Sequence, residues 1–250
     1  MSRQRFELAF MDFARLLVRG LLAILGRLEI HGQENIPPHG PYMVVANHLS
    51  KTDSAIIMMA LPRQRMHVFA AHKWRRNPLF GPILSLSGAI FVKRGQVDRK
   101  ALRTATEVLQ QGEILGMAPE GTRSKSGVLQ KARRGAAYLA SQAQVPLLPI
   151  GISDSDRFQD NLLHLRRTTF RVNIGPPFEL PDLGHKPTIK ELSALSELVM
   201  AYIANLLPER YHGHYEGSPV LAALREARDP WPAACQAAGL DIPASSDSPG

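Results

Sequence analysis

Short apolar runs that alternate with helical patterns constrain this chain more than any other feature. Tyr42-Met43-Val44-Val45-Ala46, Ala89-Ile90-Phe91-Val92 and the runs at residues 65–71, 114–118 and 145–152 carry almost no charge. Strands buried on both faces read this way, because a parallel sheet covered by helices has no wet side. Helical patterns lie between and after them. One covers residues 54–61. Another is opened by Asp98, runs through Leu102, Ala105, Val108 and Leu109, and is stopped by Gly112. A third carries Ala132, Ala136, Ala137, Leu139 and Ala140, and a fourth spans residues 188–207. Phe170-Arg171-Val172-Asn173-Ile174 alternates, which predicts a strand with one polar face. The order gives an α/β fold with a largely parallel central sheet flanked by helices, and 250 residues suffice for one sizeable core.

The two ends differ from this middle. Residues 4–29 read as one long amphipathic helix, with Phe6, Phe10, Phe13, Leu17, Leu21, Ile24 and Leu28 at three- and four-residue steps. Asp12, Arg15 and Arg19 gather on another face, which suits a helix lying in a membrane interface with guanidinium groups near lipid phosphates. The competing reading packs the apolar face on the protein's own core. No apolar stretch reaches the length of about 20 residues that a spanning helix needs. Early charges at Glu7, Asp12, Arg15 and Arg19 make a poor signal peptide. The expectation is peripheral attachment to the cytoplasmic face of the inner membrane. Beyond Pro230 the chain is rich in Pro, Ala and Ser and reads as a loose tail. The expected division is therefore a membrane helix over residues 1–29, an α/β domain over 30–217, and a C-terminal helix and tail over 218–250.

A net charge of +8 points to anionic partners: nucleic acid, an acidic membrane surface or phosphorylated substrates. The segment at residues 72–81 mixes basic residues with Trp74 and Phe80, which suits a headgroup, a nucleic acid or a solvated turn. No RNA-binding motif supports the nucleic-acid choice, so no nucleic-acid partner is expected. The single Cys235 excludes an internal disulfide and a cysteine-based metal cluster.

Three of the apolar runs end in polar clusters: residues 47–53, Lys93-Arg94 and residues 120–124. If the runs are strands of one parallel sheet, the clusters meet at its carboxyl edge, where α/β folds bind ligands. His48 supplies a base that removes a proton from an alcohol, and Asp53 a carboxylate that orients it and steadies the imidazolium. A helix N-terminus favours negative charge at Asp53. The structural alternative makes Asp53 a helix cap and His48 a satisfied turn histidine. Lys93, Arg94 and Arg123 suit a phosphate, Gly121 lets the backbone approach a ligand, and Thr122 adds a hydroxyl. Glu120 either accepts a bond from a substrate hydroxyl or holds Arg123 or a lysine. Gly116-x4-Gly121 has P-loop spacing, but Thr122-Arg123 follows where Lys-Ser/Thr is required. There is no G-x-S-x-G elbow and no zinc-ligand spacing, so no metal is expected; His212 and His214 read as an exposed loop.

Asn47-His48-x4-Asp53, Gly88-x-Ile90-Phe91-Val92-x-Arg94, Pro119-Glu120-Gly121-Thr122-Arg123-Ser124 and Val145-Pro146-Leu147-Leu148-Pro149-Ile150 resemble, in order, the four motif blocks of the glycerolipid acyltransferases. Within that family the similarity is to bacterial lysophosphatidate acyltransferases. The resemblance covers about residues 30–180. It implies transfer of a fatty acyl group from acyl-CoA or acyl carrier protein to the hydroxyl of lysophosphatidate, giving phosphatidate, with no cofactor. His48 would be the general base, Asp53 its partner, and no covalent acyl-enzyme would form. Asn47, Lys93, Arg94, Glu120, Gly121, Thr122 and Arg123 would contact substrate, with the acceptor's phosphate on the second and third blocks. Relatives often carry a different, acidic residue where Lys93 stands, which leaves the acceptor less defined. The resemblance also implies membrane docking by the N-terminal segment. Glycerol 3-phosphate, another lysophospholipid, or a noncatalytic lipid-binding role on the same fold are the alternatives.

Overall fold

The computed structural model describes residues 3–62, 66–78, 80–93 and 98–240. In chain order its elements are α1 (Arg3–Leu25), β1 (Gly26–His31), β2 (Tyr42–Ala46), α2 (Asp53–Ala60), β3 (Met66–Ala71), α3 (Phe80–Leu86), β4 (Ile90–Val92) and α4 (Arg99–Gln110). There follow β5 (Ile114–Met117), α5 (Gly135–Ala143), β6 (Leu147–Ser153), α6 (Phe158–Leu163), β7 (Thr168–Ile174), α7 (Ile189–Asn205), α8 (Pro219–Arg225) and α9 (Trp231–Ala237).

The strands form a seven-stranded sheet in the order β1-β7-β6-β2-β5-β3-β4. β2, β3, β4, β5 and β6 are mutually parallel, so the polar clusters that follow them share one edge. β2 sits in the middle and is buried along its whole length, which is why it reads as an unbroken apolar run. β7 runs antiparallel to β6, and β1 runs parallel to β7. The register Ser153 opposite Arg171 and Gly26 opposite Thr168 therefore puts the starts of β1 and β7 on the edge where the other strands end.

Two apolar layers cover the sheet. On one face, Met43, Val45, Leu115 and Leu147 pack under α4, α5, α7, α8 and α9. On the other, Tyr42, Val44, Ala46 and Ile150 pack with Ile56 of α2 and with Leu22 of α1. Local signals set the helix ends as the sequence predicts. Asp98 caps α4 by accepting the Ala101 N–H at 3.1 Å, and Thr188 and Glu191 form a capping box on α7.

The N-terminal helix ends at Leu25 rather than continuing to residue 29, and Leu28 belongs to β1. Gly26 makes the junction: a Cβ there would lie 2.5 Å from the Thr168 carbonyl oxygen and 2.7 Å from the Phe170 ring. The boundary expected at residue 217 also fails, because Val220, Leu221, Ala234 and Cys235 are buried in the same cluster as α7. The segment just beyond Pro230 is thus a packed helix and not a loose tail; the last ten residues lie outside the described ones.

α1 touches the protein through Ala14, Arg15, Val18, Leu22 and Leu25, which are partly buried. Arg15 donates to the carbonyls of Leu61 (3.3 Å) and Pro62 (2.8 Å) just past the end of α2, so this arginine faces the protein and not a lipid phosphate. Phe13, Leu16, Leu17, Leu21 and Ile24 are each more than half exposed. These described side chains of the apolar face do not pack on the core; those of Phe6 and Phe10 lie outside the described ones.

Candidate active site

β2 delivers the chain to its carboxyl edge, and Asn47 locks it there. The Asn47 amide donates to the Ile152 carbonyl at 2.8 Å and accepts the Ile152 N–H at 2.7 Å, joining the ends of β2 and β6. With 1% exposure and its amide spent on backbone, Asn47 is a structural clamp; the expectation of a substrate contact does not hold.

The turn that follows is organised by one carboxylate oxygen. Asp53 Oδ2 accepts the N–H groups of Leu49 and Ser50, both at 2.7 Å, and faces His48 Nδ1 at 2.8 Å. Asp53 thus fixes the loop and the ring together. A carboxylate at Nδ1 places the ring proton there, which leaves Nε2 as the basic nitrogen. The His48 side chain is about a quarter exposed, whereas Asp53 is buried. Nε2 has no partner among the described residues, so the ring presents a free base at the sheet edge.

The block at residues 120–124 encloses His48 from the neighbouring strand. Glu120 Oε1 accepts the His48 N–H at 3.1 Å, Oε2 accepts the Gln130 N–H at 3.0 Å, and the Ser124 N–H donates to the His48 carbonyl at 2.7 Å. Glu120 is 2% exposed, and burial pushes its carboxyl above the usual range while the N–H groups of Gln130 and His48 pull it back. Burial and these backbone bonds make Glu120 a clamp on the loop, in place of the expected contact with a substrate hydroxyl, Arg123 or a lysine.

Between these clamps lies an open, basic rim. Gly121 is exposed at φ +68°, and a Cβ there would come within 2.7 Å of Arg133 Cδ. Thr122 is half-buried, Arg123 is exposed, and Arg123 has no carboxylate partner among the described residues. Arg133, whose N–H is anchored on the Pro119 carbonyl at 2.8 Å, lies across Gly121. The sequence reading missed Arg133; its signal was the basic run Lys131-Ala132-Arg133-Arg134 ahead of α5. Lys93 is at the same edge but three strands from β2, roughly 14 Å in strand spacings. Its N–H and that of Ala101 hold the exposed Asp98 carboxyl below its usual range. Arg94 lies outside the described residues. In the turn at residues 72–76, Lys73 lies 5.7 Å from the Trp74 ring and Arg75 5.8 Å from that of Phe91 on β4.

A second support comes from far along the chain. Tyr215 accepts the Ala132 N–H at 3.0 Å, the Leu129 N–H donates to the Tyr211 carbonyl at 2.8 Å, and the His214 N–H donates to the Leu129 carbonyl at 3.0 Å. The Tyr215 phenol is buried, which raises its pKa, as does the charge of nearby Glu197. This segment is not the exposed loop the sequence suggested: His212 is 3% exposed and its Nε2 meets the Leu207 carbonyl at 3.1 Å. It braces the loop that carries Arg123 and Arg133.

A buried carboxylate holds a histidine ring at the strand edge, and the loop that clamps its backbone carries exposed arginines. Residues 27–153, about half of the chain, match the acyltransferase family. The chain belongs to that family. Both clamps on His48 lie within the matched residues. A 1-acyl-sn-glycerol-3-phosphate acyltransferase of Bacillus subtilis is 24% identical over 186 residues, 74% of this chain and 91% of the relative. The alpha form of that enzyme in Bos taurus is 33% identical over 198 residues, 76% of this chain and 66% of the relative, so the chain spans just under two thirds of the bovine enzyme. The crystal structure of a 1-acyl-sn-glycerophosphate acyltransferase from Thermotoga maritima superposes with a TM-score of 0.63 at 23% identity, covering 82% of this chain and 83% of that one. That likeness shows the acyltransferase fold: a mostly parallel sheet flanked by helices. The family match stops at residue 153, so Tyr211 and Tyr215 brace the acyltransferase site from outside it.

Proposed function

We propose that this acyltransferase moves a fatty acyl group from a thioester donor, acyl-CoA or acyl carrier protein, to the free hydroxyl of lysophosphatidate, giving phosphatidate. The observation that carries the reading is His48, held by Asp53 at Nδ1 with its backbone clamped by the loop that also carries the exposed Arg123. The names of the bacterial and mammalian relatives support the acceptor.

In this mechanism the acceptor phosphate binds to Arg123 and Arg133, with Thr122 as a further donor, and this sets the hydroxyl against His48. Nε2 takes the hydroxyl proton as the oxygen attacks the thioester carbonyl, and Asp53 stabilises the imidazolium. The tetrahedral adduct collapses by breaking the carbon–sulfur bond. The imidazolium returns its proton to the leaving thiolate, so no acyl-enzyme, metal or prosthetic group enters the step. Lys93, farther along the edge, is assigned to the outer part of the acceptor or donor.

The substrate is a lipid, and α1 supplies the way to it. No described helix is long and apolar enough to cross a membrane. α1 nonetheless leaves Phe13, Leu16, Leu17, Leu21 and Ile24 in water, and each such side chain gains about 1.5–3 kcal/mol on full burial. The reading is a peripheral enzyme whose α1 lies in the bilayer interface. It is tested by incubating purified protein in detergent with acyl thioester donors and a panel of acceptors, following thiol release and lipid products. Turnover with lysophosphatidate that disappears in His48→Ala supports it; turnover with no acceptor and either donor sinks the enzyme reading.

A further inference from the structure

The reversed direction of β1 and β7 brings a second apolar feature to the catalytic edge, apart from α1. The connection between α6 and β7 exposes Leu162 by 43%, Leu163 by 82% and Leu165 by 95%. Arg157, His164, Arg166 and Arg167 lie in the same stretch and are exposed, as are Asp156 and Asp160; Arg157 lies 3.9 Å from Asp154 and His164 3.5 Å from Asp160, so the excess charge is basic. Arg166 has no carboxylate partner among the described residues. Leu165 has φ +53°, in the left-handed region that a bulky L residue rarely enters and where glycine or asparagine is usual. The fold holds it there through the Leu165 N–H on the Leu162 carbonyl at 3.2 Å and the Arg166 N–H on the Asn161 carbonyl at 2.7 Å. A turn built only for water would not spend this conformation on an outward leucine.

The connection is joined to α1. Arg167 donates to the carbonyls of Ala23 at 2.6 Å and Gly26 at 2.7 Å, supplying the cation that the last turn of α1 lacks. Arg167 thus ties this connection to the carboxyl end of α1, near which Leu21 and Ile24 are exposed. The start of β7 shares its sheet edge with His48.

We propose that the α6–β7 connection is a second membrane anchor, placing Leu163 and Leu165 among the acyl chains of an anionic bilayer while Arg157 and Arg166 meet its phosphates. The occupant is a lipid surface because exposed leucines in a stretch of excess basic charge match an anionic interface, and because Arg167 ties the patch to α1. An interfacial helix alone leaves the protein free to roll about the helix axis. A second contact beside its carboxyl end removes that freedom and turns the edge carrying His48 toward the lipid. This rests on the reading of α1 as interfacial.

The test is co-sedimentation of the full chain with vesicles of phosphatidylglycerol in phosphatidylcholine, comparing the native protein with a Leu163→Ser, Leu165→Asn double variant. Asparagine accepts the left-handed backbone and both sites are exposed, so the thermal midpoint should hold or rise. Binding should fall by about tenfold or more, with turnover of short-chain substrates below their aggregation limits unchanged. A Leu163→Trp variant should be quenched by brominated lipid in the same vesicles. Unchanged binding by the double variant, or an unquenched tryptophan, overturns the anchor. A change of oligomeric state with vesicle binding unaltered also overturns it, in favour of a second copy of the chain. Absent turnover of monomeric substrates by the native protein would instead defeat the enzymatic reading and leave the anchor standing.

Discussion

Glu120 holds His48 by its backbone and not by its ring: Oε1 accepts the His48 N–H at 3.1 Å, while the Ser124 N–H grips the His48 carbonyl at 2.7 Å. The block at residues 120–124 thus sets where the imidazole stands, and Asp53 sets which way it points.

Glu120→Gln keeps one acceptor but turns an amide NH2 toward one of two N–H donors. One clamp is lost and the His48 turn shifts. The expected effect is a fall in kcat of up to about 10²-fold, the cost of an ångström-scale misplacement, with a smaller change in KM. Steady-state kinetics with saturating donor checks it.

The same residue predicts a pH dependence of stability. Burial raises the Glu120 carboxyl, so between the ordinary carboxylate value and the raised one the folded state binds more protons than the unfolded state. Its contribution to stability therefore falls as pH rises through that window and is flat above it. The thermal midpoint of the native protein should decline relative to Glu120→Gln over that range. A constant difference between the two would contradict the assignment.

Asp53→Asn preserves shape and can still accept the Leu49 and Ser50 N–H groups, but it removes the charge that stabilises the imidazolium. The expected loss is about 10³–10⁴-fold in kcat, with the fold retained as read by circular dichroism. A loss under tenfold would demote Asp53 to a loop cap.

Arg123→Ala and Arg133→Ala should each raise KM for a phosphate-bearing acceptor by roughly 10–100-fold, since a charge-assisted bond contributes about 1.5–3 kcal/mol. Neither should change turnover of an acceptor that lacks the phosphate. Equal effects on both acceptors would remove the two arginines from the anion site.

Tyr215→Phe deletes the acceptor of the Ala132 N–H at little cost in volume, destabilising by about 1–3 kcal/mol. If Tyr215 positions the loop carrying Arg133, KM for the phosphate-bearing acceptor should rise more than kcat falls. A loss of thermal stability with both constants unchanged would confine Tyr215 to packing.

The strands, the helices and the choice of His48 and Asp53 were legible in the sequence because they depend on local rules. Burial on both faces writes an apolar run, and a base five residues before a helix-opening carboxylate writes its spacing. The apolar stripe on α1 was equally legible, but which way it faces was not, because periodicity records a face without saying what covers it. β1 was hidden for a similar reason. Leu28 continues the helical rhythm, and only pairing with residues 168–173 makes a strand of residues 26–31.

What the tertiary structure alone decided is where polar groups spend their hydrogen bonds. Asn47 and Glu120 look like substrate contacts in the sequence, yet one binds Ile152 and the other the backbones of His48 and Gln130. Arg133 and Tyr215 were missed for the converse reason, since the approach of Arg133 to Gly121 and a bond across 83 residues from Ala132 to Tyr215 leave no local pattern. The sequence by itself determined most of the strands and helices and marked His48 as the candidate base. The packing decided which charges stay free for a ligand, because a buried polar group must find a partner wherever the fold brings one.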